Sequence, residues 1–174
     1  PSKGKSLRLL LKHTAKALLN SYLTLIDVIR SKESFSPAAE WFVDNFHIIE
    51  DQLREIKRDL PNNFYYELPK LRDGGLADYP RVYAIALAII AHTDSRLDEE
   101  TLRRFLLAYQ KASPLSIGEL WAIPITLRVA LLERLHPLAD RIVAARKSRS
   151  AADSFADTFI EKASELELRR CHGW

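Results

Sequence analysis

The sequence contains no methionine, one cysteine and five glycines among its 174 residues. Because translation starts at methionine, we expect this chain to be a piece of a longer protein. The single thiol, Cys171, cannot form an internal disulfide, which fits a reducing compartment. Five glycines leave little material for the Gly-rich loops that hold phosphates. No apolar run approaches the roughly 20 residues that cross a bilayer, so we expect no membrane span.

The charges are nearly balanced and well mixed. The formal net charge is +3, and acids alternate with bases along residues 50–58. Nucleic-acid-binding domains usually concentrate basic residues on one face. We therefore expect no nucleic-acid partner. The hydrophobic fraction of 47% and the charged fraction of 28% are typical of a globular domain that can bury a core.

The spacing of apolar residues predicts an all-α fold, an irregular bundle of about six helices with one long ordered loop. Apolar residues recur every three or four positions along most of the chain, and strand alternation is absent. The expected helices are Ser6–Ile29, Ser36–Leu60, Arg81–His92, Asp98–Ala112, one that starts at the Ser116/Glu119 capping box, and a final amphipathic helix from about Ser150 with Phe155, Phe159, Ala163 and Leu166 on its apolar face. Pro124 is expected to kink the fifth helix, and Pro137 is expected to bend it again.

The segment "RVYAIALAIIAH", residues 81–92, is apolar on every side. A helix without a polar face belongs in the centre of a fold. We expect a charge placed at Ala86 or Ala88 to be strongly destabilising.

The segment from Asn62 to Tyr79 is predicted to be a long connection between helices. Loops of this length are usually functional, packed down or disordered. Apolar anchors occur every few residues along it, so we expect it to be ordered against the bundle. Gly74-Gly75 is expected to supply the chain reversal.

No motif for catalysis or for a cofactor is present, and we expect no catalytic, cofactor-binding or metal-binding residue. Asp44, His47 and Asp51 share one face of a predicted helix and could bind a divalent cation. A solvated, salt-bridged face explains them better.

Two interpretations of the aromatic residues are open. Flat rings with polar tips can cover the core where the loop crosses it, which is the more common use of such residues. They can also stack on the apolar faces of sugars. The candidate carbohydrate-binding residues are Trp41, Tyr65, Tyr66, Glu67, Tyr79 and Trp121.

Arg128 has apolar neighbours three and four positions away on its predicted helix. Its charge must either reach solvent or pair with a carboxylate. If Arg128 pairs, Glu67 in the loop is the candidate partner, and an arginine that reaches solvent is the open alternative. Glu67→Ala would then destabilise the fold by roughly 1–3 kcal/mol.

Several ordered motifs resemble one bacterial family. They lie between about Ala38 and Arg146 and are Glu40-Trp41 with Asp44-Asn45-Phe46, Glu67-Leu68-Pro69, Tyr79-Pro80-Arg81, His92-Thr93-Asp94 and Ile117-Gly118-Glu119-Leu120-Trp121. In these motifs the chain resembles the N-terminal region of the cyclic β-1,2-glucan synthases.

The resemblance implies a domain from about 36 to 148. The segments 1–35 and 149–174 carry no usable resemblance, and the helix expected in each rests on its apolar spacing alone. The resemblance also implies a parent enzyme at the bacterial inner membrane that transfers glucose from UDP-glucose, with this chain as a soluble part on the cytoplasmic side. None of the parent's catalytic residues maps onto this chain.

Two functions follow from the resemblance. One is a non-catalytic scaffold that packs against other domains of the synthase, and the other is a module that binds β-1,2-glucan through the aromatic loop. Exposure of Trp41, Tyr65 and Tyr66 would discriminate between them. A third, remote possibility is catalytic assistance by Glu67 or Glu119, which would require an open cleft and a raised pKa.

Overall fold

A computed structural model describes residues 5–30, 36–60 and 64–171; at 28–30, 64 and 164–171 only the backbone is described. In these ranges the chain forms helices and no β-strand, which confirms the all-α prediction. The seven helices of the described ranges are α1 (Leu7–Arg30), α2 (Pro37–Asp44), α3 (Phe46–Asp59), α4 (Phe64–Glu67), α5 (Arg81–His92), α6 (Glu99–Ala112) and α7 (Ile117–Cys171). None of them is both long enough and apolar enough to span a membrane.

The helix α7 is the element around which the bundle is built. Both α5 and α1 pack along it, and α2 and α3 also contact it. The side of α1 that faces the core carries Leu7, Leu11, Leu18 and Leu25, all buried. On the same side, the Ser21 hydroxyl donates a hydrogen bond of 3.0 Å to the Asp140 carboxylate of α7.

The predicted helix from Ser36 to Leu60 is divided into two helices, α2 and α3, at Asn45. Ser36 caps α2 as expected, accepting a hydrogen bond from the Ala39 amide. Asn45 has φ −98° and ψ 8°, and its side-chain amide donates 2.8 Å to the Trp41 carbonyl. Such a local side-chain bond competes with the helical hydrogen bonds. The apolar face nevertheless continues into α3, where Phe46 is buried and stacks on Tyr22 with ring centroids 3.9 Å apart.

The long connection is ordered from residue 64 onward; residues 61–63 lie outside the described ranges. It contains a short helix that the sequence did not predict, α4. Beyond α4 the backbone folds back on itself. The Leu71 amide donates a hydrogen bond to the Tyr79 carbonyl, and the Asp78 amide donates one to the Leu71 carbonyl, each 3.0 Å long. Gly74 adopts φ 81°, the left-handed conformation that glycine tolerates, so it makes the predicted reversal.

The loop is held down by apolar packing and not by Glu67. Leu68 is buried at 6% exposure, whereas the neighbouring Glu67 is exposed. We therefore expect Leu68→Ala to lower the free energy of unfolding by about 2–4 kcal/mol, as for other buried leucines. Glu67→Ala should change it by less than about 0.5 kcal/mol, because exposed positions tolerate substitution. Chemical denaturation of both variants measures this, and equal effects would contradict the assignment.

The central position of α5 is confirmed, with one correction. Six of its residues are buried, among them Val82, Ala86 and Ile89. Ala88, Ala91 and His92 are exposed, so α5 has a solvent side that its composition hides. The prediction that a charge at Ala88 would be strongly destabilising is therefore wrong.

The start of α6 and the start of α7 agree with the caps read from the sequence. The Asp98 carboxylate accepts 2.8 Å from the Thr101 amide at the start of α6. At the start of α7, Ser116 and Glu119 bond each other reciprocally, as a capping box requires.

The predicted final helix is not separate. The helix α7 runs without a break for 55 residues, through Pro124 and Pro137 and past Ser150. Residues 149–171 therefore extend α7, and no break marks the domain boundary predicted at residue 148. From Ala151 to Ala163 every side chain is exposed, including Phe155 and Phe159. The side chain of Leu166 lies outside the described set.

Candidate functional site

The most strongly bonded polar group in the described interior is the Glu119 carboxylate, at the first turn of α7. Arg81, at the start of α5, binds it with both ends of its guanidinium, Nε to Oε1 at 2.9 Å and Nη2 to Oε2 at 2.8 Å. The Ser116 amide and hydroxyl also donate to Oε2, at 2.9 and 3.1 Å. Arg81 further donates to the Ser113 hydroxyl and the Pro114 carbonyl. One ion pair thus joins α5, the α6–α7 connection and α7.

The ion pair of Arg81 and Glu119 has the features of a structural contact. The Glu119 side chain is 1% exposed and that of Arg81 is 21% exposed. Burial alone would raise the pKa of Glu119, but hydrogen bonds from Arg81 and Ser116 outweigh it, and the pKa is lowered. A catalytic acid needs an open cleft and a raised pKa, and Glu119 has neither. The hydrogen bond to Glu119 likewise raises the pKa of Arg81.

Arg128 pairs with a different carboxylate from the one expected. Its guanidinium lies 3.3 Å from Glu55 Oε2, on α3, and both side chains are 43% exposed. Glu67 is exposed at the end of α4. Since α3 packs on α7, the carboxylate on that helix satisfies Arg128.

The six candidate carbohydrate-binding residues do not form one surface type. Trp41 and Trp121 are 59% and 79% exposed, whereas Tyr65 is 7% exposed. Burial raises the pKa of Tyr65 to about 12. Tyr66 and Glu67 are exposed on α4, and Tyr79 is half-buried with its ring 5.3 Å from that of Tyr83. The exposure test therefore divides the set, with two tryptophans open and Tyr65 closed.

Three grooves in the described part of the chain are lined by other residues than these six. The first, of about 420 Å³, lies between α1 and α3 and carries Arg8, Lys12, Arg54 and Lys57 around an apolar floor. Its basic pairs are visible in the sequence at helical spacing. The sequence does not tell that the two helices meet on those faces.

Glu133 is a second group that the sequence did not single out. It lies on α7, and burial raises its pKa. The burial of Tyr83 raises the pKa of its hydroxyl, and the charge of Glu133 raises it further. The described residues contain no group of three or more His, Cys, Asp or Glu placed to hold a metal ion. His47 bonds the Asp44 carbonyl, and Asp51 pairs with Arg54.

An apolar stripe is exposed on the first two turns of α7. Ile117 is 76% exposed, Leu120 37% and Trp121 79%, and the exposed Pro124 continues the stripe. These positions follow the three-and-four spacing of one helix face. Contiguous exposed apolar side chains of this kind mark interaction surfaces more often than isolated ones do.

Comparison with known proteins shows what this chain is similar to. No family model matches the chain. The chain is 36% identical, over 149 residues, to the cyclic beta-(1,2)-glucan synthase NdvB of Rhizobium meliloti (strain 1021), and the match covers 86% of this chain. The chain resembles a segment of a cyclic β-(1,2)-glucan synthase. This confirms the resemblance inferred from the motifs.

The match covers only 5% of the length of NdvB. The chain thus spans about a twentieth of the synthase that it resembles. The position of that segment within the synthase stays a prediction, as do the predicted domain boundaries. Two of the motifs that carry the resemblance contain Arg81 and Glu119, the partners of the buried ion pair.

Proposed function

We propose that this chain is a non-catalytic helical scaffold of a cyclic β-1,2-glucan synthase, and that it docks against another domain of the same synthase. The parent would transfer glucose from UDP-glucose to build the glucan, as the resemblance implies. The observation that carries this proposal is the exposed stripe of Ile117, Leu120 and Trp121. An apolar stripe of this kind is costly in water and gains stability when another surface covers it.

The parent supplies a suitable occupant for the stripe. The chain accounts for 5% of the length of the synthase that it resembles, so most of that protein lies outside it. The buried Arg81–Glu119 pair fixes the first turn of α7 to α5 and so holds the stripe in one orientation. A rigid, presented apolar face is what a docking module requires.

The proposal is tested in the full-length synthase that contains this chain. Trp121→Ser with Ile117→Ser removes the stripe without disturbing the core, since both side chains are more than 70% exposed. We expect loss of glucan synthesis from UDP-glucose or faster proteolysis of the synthase. Leu107→Ser is the matched control, because Leu107 is an exposed apolar residue on α6, 48% exposed. Equal behaviour of the two variants in both assays would refute docking through the stripe.

A second function, binding of β-1,2-glucan, is favoured by the exposure of Trp41 and Trp121. Titrating a β-1,2-gluco-oligosaccharide into the chain while following tryptophan fluorescence tests it. The scaffold proposal predicts no saturable change. Glucan binding predicts a saturable change that disappears in Trp41→Phe or in Trp121→Phe, because that substitution removes the indole whose fluorescence reports the contact. The third tryptophan, Trp174, lies outside the described residues, so the single variants are needed to assign the signal.

A further inference from the structure

The distal part of α7 carries a second exposed apolar surface, separate from the stripe at its start. Phe155 is 74% exposed, Phe159 67% and Ile160 62%. Every other side chain from Ala151 to Ala163 is also exposed. An unsupported helix gains little stability from its own hydrogen bonds, and most helices in proteins are stabilised by packing of an apolar face. This surface therefore calls for a partner.

One face of this region follows a heptad pattern in which every position except Arg149 is apolar. Steps of four and three residues alternate without interruption along one face, through Leu138, Ile142, Ala145, Arg149, Ala152, Ala156, Phe159 and Ala163. An alternation of this kind keeps one seam of a helix turned toward a second helix. We call this face, residues 138–163, the α7 seam.

The first half of the α7 seam borders an open groove. The groove has a volume of about 510 Å³ and lies between α7 and the start of α2, where Ala38 forms part of its wall. Leu138 and Ile142 supply apolar surface, and three arginines, Arg141, Arg146 and Arg149, line it. The groove is apolar at its base and positively charged at its edges.

The second half of the α7 seam has the opposite charge. Residues 151–163 contain three acidic side chains, Asp153, Asp157 and Glu161, against one basic side chain, Lys162. A helix with an apolar face and acidic flanks complements an apolar groove edged with arginine. The same helix therefore carries both halves of one interface.

We propose that α7 pairs with α7 of a second copy of this chain, in antiparallel orientation about a twofold axis between residues 150 and 151. Ile142 then lies opposite Phe159 of the second copy, Ala145 opposite its Ala156, and Leu138 opposite its Ala163. The heptad positions stay in register along the whole contact, as antiparallel helix pairing requires. Asp153 lies beside Arg149 of the second copy, and each pairing occurs twice, as in any isologous contact.

The small residues near the axis fit this arrangement. Arg149 lies opposite Ala152 of the second copy, so a long side chain meets a short one. The groove beside α2 leaves room for the phenylalanine that enters from the second copy. We thus expect Phe159 of each copy to lose most of its exposed area on pairing.

The first test measures the mass of the 174-residue chain by sedimentation from about 1 to 200 µM, the range in which weak dimers separate from monomers. We expect a dimer whose dissociation constant rises at least roughly tenfold in Phe159→Ser, because a buried aromatic surface is lost. Leu107→Ser, a matched exposed apolar residue on α6, should leave it unchanged. A monomer throughout this range, or equal effects of the two substitutions, would overturn the proposal.

The charge pairing has its own test. Asp153→Arg alone and Arg149→Asp alone should each weaken the dimer, since each places like charges beside one another. The double variant restores opposite charges across the axis and should restore the dimer. Failure of the double variant to recover would show that these residues do not meet.

The orientation is tested with spin labels on single cysteines in a Cys171→Ser background. Labels at Ser150 should lie close together, at about 10 Å, whereas labels at Lys162 should lie about 35 Å apart, from the rise of 1.5 Å per residue. Short distances at both positions would indicate parallel pairing and contradict the proposal.

Discussion

Ala86→Lys should lower the free energy of unfolding by about 3 kcal/mol or more. Ala86 is 1% exposed and lies on the side of α5 that faces the core, as Val82 and Ile89 do. A lysine there must lose hydration or lose its proton, and it must also force its long side chain into the packed core, so the substitution is costly. The measurement is chemical denaturation monitored by circular dichroism.

The matched control is two residues away on the same helix. Ala88 is exposed, so Ala88→Lys should change the free energy of unfolding by less than about 0.5 kcal/mol. The two variants have the same composition and nearly the same helix propensity. If both variants unfold like the unsubstituted chain, α5 is peripheral and its packing has been assigned wrongly.

Glu119→Gln should lower the free energy of unfolding by roughly 3 kcal/mol, although it only replaces one carboxylate oxygen by an amide nitrogen. The substitution leaves the charge of Arg81 mostly buried beside a neutral amide, and breaking a buried pair leaves an uncompensated ion. Glu55→Gln is the control, because Glu55 also pairs with an arginine, Arg128, but both side chains are 43% exposed. Exposed pairs contribute less than about 1 kcal/mol. Equal costs for the two variants would refute the structural role of the buried pair.

The pH dependence of this effect has a definite sign. The pKa of Glu119 is lowered in the folded protein, so the folded state holds this proton less tightly than the unfolded chain does. The stabilisation is therefore complete above the unfolded pKa of about 4.3 and is lost as pH falls through the lower folded value. The difference in unfolding free energy between the unsubstituted chain and Glu119→Gln should stay constant from about pH 5 to 8 and shrink below about pH 4. A difference that grows toward acid would contradict the lowered pKa.

Local patterns predicted the local features of this fold well. The caps at Asp98 and Ser116 depend on side chains three residues from their partners, and both are confirmed. The break in the helix at Asn45 was missed because the apolar spacing continues across it. The side-chain hydrogen bond from Asn45 to the Trp41 carbonyl, which competes with the helical hydrogen bonds, leaves no trace in that spacing. Continuation of the helix through Pro124 and Pro137 was predicted, with a kink and a bend, but a new helix start was predicted near Ser150, where α7 in fact continues. Tertiary packing of α1, α2 and α5 along α7 supports the helix despite its two prolines.

Features that join distant segments were less accessible from sequence. Both charges of the buried pair stood in recognisable motifs, but 38 positions separate Arg81 from Glu119, and no periodicity links them. Glu67 was matched to Arg128 on the basis of loop position, whereas the packing of α3 on α7 brings Glu55 to that arginine. The two exposed tryptophans were identified as candidates, but exposure depends on which faces the neighbouring helices cover.

The length of α7 gives the chain a mechanical property. Fifty-five helical residues extend for about 80 Å, whereas a compact domain of this size is about 40 Å across. The helices α1, α2, α3 and α5 pack along the first part of α7, whereas every side chain from Ala151 to Ala163 is exposed, so the stretch 151–171 extends about 30 Å beyond the packed part. The exposed end of α7 is therefore a short lever arm, because a bend of about 5° where the packing ends moves residue 171 by about 3 Å.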